Sequence, residues 1–252
     1  MKEYMRSISP SRLSPQQEAT DGAFFICGGI GCIINIVASA LYCFTTLTLL
    51  SHLYLASYAM IDLVTYILLG VGIILASTGY LGMRRYYGSG LGLASFILGV
   101  ITAVCFSVYS PNEIILEQLN ISYNSNMYHA LQLGWIFILN IFYDTLILWG
   151  ITHILNRSPT GKSGLSTATG ILCILTAGVM ASSDTLLSFW FGPNVNNSFY
   201  NFAVNYTANY VLDSIWSLLL VTAEILAVTL FFTTRNARFG HGESQHIVQT
   251  PQ

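Results

Sequence analysis

Along this chain apolar and polar text alternate in long blocks, not at the short periods of an amphipathic helix or strand. Runs able to cross a bilayer, which takes about 20 residues of helix, fall at Ala23–Thr45, Leu55–Met83, Leu91–Tyr109, Leu131–Leu155, Leu165–Phe191 and Tyr210–Thr233. The pattern predicts an all-α, polytopic membrane protein of six transmembrane helices. Its membrane domain covers residues 23–234, between polar tails at 1–22 and 235–252 that are expected to be disordered. Pro10 and Pro15 argue against helix in the first tail. Ala38-Ser39-Ala40 has the small-x-small form of a signal cleavage site, and cleavage there would leave five spans. The apolar text runs on past it, which favours a retained first span.

The polar interruptions differ in length. Ser51 and His52 alone separate the first two spans, while Tyr86 to Gly90 and Ser158 to Ser163 read as tight turns. Ser110 to Asn126 and Gly192 to Asn209 read as long asparagine-rich loops.

A shift of 74 positions lays Ser89–Ala103 on Ser163–Ala177 with eight identities in fifteen places. That match reads as an internal repeat of a hairpin, in which spans 2 and 3 correspond to spans 4 and 5 in the same orientation, a parallel repeat. The first copy carries small residues at Gly88, Gly92, Ser95, Gly99 and Ala103, one face of a helix; the second keeps Ser166, Thr169, Cys173 and Ala177. Small side chains let helix backbones approach in lipid, so both stripes are expected at helix contacts. A duplication that preserved packing alone would produce the same pattern.

Composition supports the membrane assignment: 54% of the 252 residues are hydrophobic and 8% charged, against about a quarter charged in soluble domains. A formal net charge of −2 without a basic patch argues against nucleic acid as a partner. All nine Lys and Arg residues (Lys2, Arg6, Arg12, Arg84, Arg85, Arg157, Lys162, Arg235 and Arg238) fall on one side of a six-span layout. The positive-inside rule makes that side cytoplasmic and gives a multi-pass cell-membrane protein with both termini inside. The opposite loops hold three glycosylation sequons, at Asn120, Asn196 and Asn205. A fourth, at Asn156, lies on the basic side and is discounted.

Five acids stand in the spans: Asp62, Asp144, Asp184, Asp213 and Glu224. Asp62, Asp184 and Asp213 are each 22 positions from Arg84, Lys162 and Arg235, about 33 Å along a helix and so near the outer face. Asp144 and Glu224 are 13 and 11 positions from Arg157 and Arg235, roughly 17 to 20 Å and close to the midplane. A charged carboxylate there costs at least about 2.5 to 3.5 kcal/mol. Such a group either faces a hydrated cavity as a proton or cation site, or hydrogen-bonds in neutral form to a partner such as Asn140 or Thr222.

Other chemistry is thin. Cys27, Cys32, Cys43, Cys105 and Cys173 form no CxxC and read as small core residues, with no metal site expected. His52 and His129 could meet only at the membrane surface, which argues against a haem; His153 lies near the inner face, and His241 and His246 in the tail. Thr160-Gly161-Lys162-Ser163 lacks the earlier glycine of a P-loop, and no HExxH or GxSxG occurs. Tyrosines and tryptophans near span ends fit an interfacial belt. No cofactor is expected, and the partners are the lipid bilayer and other membrane subunits or a second copy. Three functions follow in order: a non-catalytic component of a membrane complex, a small proton- or cation-linked transporter or channel, and a membrane-embedded lipid enzyme.

Overall fold

The computed structural model describes residues 15–50, 58–118, 126–156, 163–190 and 199–239. They form six α-helices and no strand: α1 Pro15–Leu50, α2 Tyr58–Tyr87, α3 Gly90–Gln118, α4 Asn126–Leu155, α5 Ser163–Trp190 and α6 Phe199–Phe239. Each contains a stretch long and apolar enough to span a membrane, so the chain is a six-span helical membrane protein.

Several helices outrun the apolar blocks. α1 starts at Pro15, inside the stretch expected as a tail; proline suits the first turn of a helix, where its missing N–H has no partner to lose. α3 continues through Pro111 to Gln118, and α6 starts at Phe199, eleven residues before its apolar run. Hydropathy marks where lipid begins, whereas a helix continues until something caps or breaks it.

The helices close into a ring in chain order, each packed on its sequence neighbours and α1 closing against α6. In lipid there is no hydrophobic drive to bury apolar groups inside, and the ring's surface is accordingly apolar, with Phe44, Ile67, Val104, Phe137 and Leu218 all exposed. Many hydroxyls instead point inward. Ser95 bonds Thr152 at 2.8 Å and Thr102 bonds Thr145 at 2.7 Å across the α3–α4 seam. Trp149 Nε1 donates to the Ser95 carbonyl at 3.2 Å. Thr145 and Thr152 also donate to their own helix one turn back, to the carbonyls of Ile141 and Leu148, which leaves Thr102 and Ser95 as the donors across the seam. That local bond satisfies a polar group without water.

Close backbone contact sets the other seams. A Cβ at Gly28 would meet the Gly79 Cα at 2.6 Å, and one at Gly31 would strike the Ala76 backbone, so α1 and α2 touch along a glycine strip. Gly150 and Gly170 play the same reciprocal part between α4 and α5. Gly92 lies on the Tyr80 carbonyl and Gly99 on Ser77, both facing α2. Gly88 has φ 67 and open space around it; it shapes the α2–α3 turn, in the left-handed region that favours glycine. Ser95 and Ala103 are fully buried, as are Thr169 and, nearly, Ser166, Cys173 and Ala177.

Candidate functional site

Inside the ring is a cavity of about 170 Å³ to which every helix contributes. It lies in the half of the bundle away from Arg84, Arg85 and Arg235, because its lining residues come from the opposite ends of α2 and α6. Six aromatic rings stand on its wall: Tyr42 of α1, Tyr66 of α2, Phe106 of α3, Phe142 and Tyr143 of α4, and Trp216 of α6. Among the described residues that line it, Asp213 supplies the one carboxyl and none is Lys, Arg or His.

The Asp213 carboxyl is oriented from its own helix and from α1. Trp216 Nε1 donates to Oδ1 at 3.0 Å, and the Tyr42 hydroxyl donates to Oδ2 at 3.4 Å. The spacing of three residues puts Trp216 on the same face of α6 as Asp213, and the Tyr42 and Trp216 rings lie with centroids 5.1 Å apart. Ser39, on the cavity wall one turn before Tyr42, is 3% exposed and its hydroxyl has no hydrogen-bond partner.

One further turn along α1 stands Asn35, whose Nδ2 donates to Oε1 of Glu224 at 3.0 Å. Both are buried, and the Cys32 thiol also lies against the carboxyl. Gly72 makes room for the Asn35 carboxamide, since a Cβ there would collide with Oδ1. Toward the arginine end, the Tyr80 hydroxyl and His153 Nε2 are 2.9 Å apart, and Ser166 donates to the His153 carbonyl. Tyr80 stacks on Trp149 and meets Phe231 edge-on. His153 is fully buried and its Nδ1 has no partner. A series of polar groups therefore runs from Asp213 through Ser39, Asn35 and Glu224 to Tyr80 and His153.

The acids singled out from the sequence separate. Glu224 is in the core and Asp213 faces the cavity. Asp144 is exposed on the outer side of α4, with Asn140 exposed one turn away, so it does not join Glu224 despite similar depth. The side chains of Asp62 and Asp184 lie outside the described residues, as do residues Asn120 and Asn196; Asn205 falls within α6. The carboxamide that meets Glu224 is Asn35, not Asn140. Thr222 is exposed and donates to the Leu218 carbonyl. Asn35 was visible as a lone amide midway along an apolar run, but only the closure of α1 on α6 makes it the partner. Tyr42, Trp216 and Ser39 carried no such signal, because aromatic and small residues are common near span ends.

Among the described residues no three His, Cys, Asp or Glu side chains are grouped to hold a metal ion. No protein-family model, curated protein or solved structure matches the chain. The fold and the site define a polytopic helical membrane protein with a cavity at the centre of its ring.

Proposed function

We propose that the protein is a small proton- or cation-linked membrane carrier, with the central cavity as its solute site and Glu224 as the group that exchanges a proton or cation. One observation carries this reading: a cavity walled by all six helices, with Ser39 on its wall, lies one turn of α1 from Asn35, which holds a buried carboxyl that has no cationic partner among its contacts. A ring built only for packing has no reason to leave space at its axis or to bury an acid beneath it. Intramembrane carboxylates facing a bundle interior mark ion and proton routes. By the positive-inside rule, the basic residues at the far end support a cytoplasmic placement of that end, with the cavity in the outer half.

The test is flux in liposomes containing the purified full-length protein, with an internal pH dye and a panel of small cations. Glu224→Gln keeps an acceptor for Asn35 and removes the ionisable group; flux is expected to fall at least about tenfold, in the range of general acid–base effects on proton transfer. Undiminished flux in that variant removes Glu224 from the mechanism.

A second reading, a non-catalytic component of a membrane complex, is favoured by the exposed Asp144 on α4. Polar groups on a lipid-facing surface are costly unless another helix satisfies them. It predicts stoichiometric partners on gentle purification and their loss in Asp144→Leu.

A further inference from the structure

The cavity's chemistry points to a class of ligand. Asp213 presents a carboxylate whose two contacts, the Trp216 indole N–H and the Tyr42 hydroxyl, are neutral donors. Hydrogen bonds from neutral donors orient such a group but leave its charge uncompensated inside the bundle, where water does not screen it fully. Half of the remaining lining residues are aromatic: Tyr42, Tyr66, Phe106, Phe142, Tyr143 and Trp216. Aromatic faces carry negative charge density and attract a cation that has shed its water, which is how aromatic cages hold quaternary ammonium groups. The Ser39 hydroxyl, nine-tenths buried and without a partner, is left on the same wall for a polar end of the guest.

Competing ligands fit less well. Calcium requires six to eight oxygen ligands, usually several of them carboxylates, and among the described lining residues Asp213 alone supplies a carboxyl. An anion would face Asp213. A bare proton leaves most of about 170 Å³ unused, and a drug-sized molecule needs pockets of about 300 to 1,000 Å³. We propose that the cavity binds a small alkylammonium ion, its charged nitrogen against Asp213, its methyl or methylene groups against the rings and a hydroxyl, where it has one, on Ser39. The proposal deepens the carrier reading by naming its solute class, and on that reading it rests.

The experiment is isothermal titration of the full-length protein in a nonionic maltoside detergent with choline, tetramethylammonium and 3,3-dimethyl-1-butanol, the uncharged shape analogue of choline. Choline or tetramethylammonium is expected to bind, and the uncharged analogue at least about tenfold more weakly, matching one or two desolvated cation–π contacts. Asp213→Asn, which preserves shape and still accepts from Trp216, is expected to level the two. The analogue comparison is made on the native chain, so it stands even if the variant does not fold. Equal binding of the charged and uncharged compounds, or no binding of either cation, overturns the proposal. Repeating the titration in phosphatidylcholine nanodiscs separates the sources of the ligand: a lipid headgroup in the cavity weakens added choline, and a free solute leaves its affinity unchanged. Cation binding without flux in liposomes leaves the site intact and refutes the carrier; flux dependent on Glu224 without cation binding does the reverse.

Discussion

The two ends of the ring are built by opposite means. Toward the arginines, backbones touch: Gly28 on Gly79, Gly31 on Ala76, Gly150 against Gly170, with Phe25, Tyr80 and Phe231 filling the axis. Toward the other end, bulky rings line the inner faces and leave a cavity. Small residues let helices meet and exclude space, whereas large rings hold neighbours apart and cannot tile the axis completely. A single ring of helices thus has a sealed half and an open half, with Glu224 between them.

The contrast can be broken most severely at the sealed end. Gly31→Leu places a side chain into the Ala76 backbone, and a loss of about 3 kcal/mol or more is expected, at the upper range of overpacking. Unfolding in a denaturing detergent titration reads it; native-like stability would mean that α1 and α2 do not pack this closely. Next is the junction. Glu224→Leu strips the Asn35 amide of its acceptor and should be less stable than Glu224→Gln by about 1 to 3 kcal/mol, the cost of a buried unsatisfied donor. The same titration compares the two variants.

Smaller effects sharpen the comparison. Tyr80→Phe keeps the stack on Trp149 and loses the bond to His153, for a cost of about 1 kcal/mol. At the open end, Ala38→Leu adds volume as Gly31→Leu does, but into the cavity wall. Its stability should change by less than about 1.5 kcal/mol, within the tolerance of cores that can absorb the added atoms, while ammonium binding is lost. Ser39→Ala removes a hydroxyl that has no partner and should leave stability within about 0.5 kcal/mol. A larger drop would show that the hydroxyl is engaged in the folded protein.

Much of this architecture was legible in the residues. Six apolar blocks predicted six spans, and the small residues at Gly92, Ser95, Gly99 and Ala103 predicted a packed face on α3, because lipid imposes simple requirements of length and size. Position along a helix was legible too, since rise per residue is fixed. Azimuth was not: Asp144 and Glu224 read as a pair at one depth, yet one faces outward and the other the core. In spans apolar on all sides the rotation of a helix leaves only a weak trace in hydropathy. The ends of α1, α3 and α6 were also hidden, because helix continues past the apolar text into polar residues that tolerate it.

The sequence alone therefore determined the number of spans and the position of Asp213 and Glu224 along the last of them. These follow from local composition and from distance along a helix. Only the tertiary structure decided that α1 closes on α6, which sets Asn35 beneath Glu224 and Tyr42 beside Asp213 from residues 189 and 171 positions away. It likewise decided that side chains from all six helices enclose one space. Which faces meet depends on how side chains of distant segments interlock, and no local pattern along the chain records it.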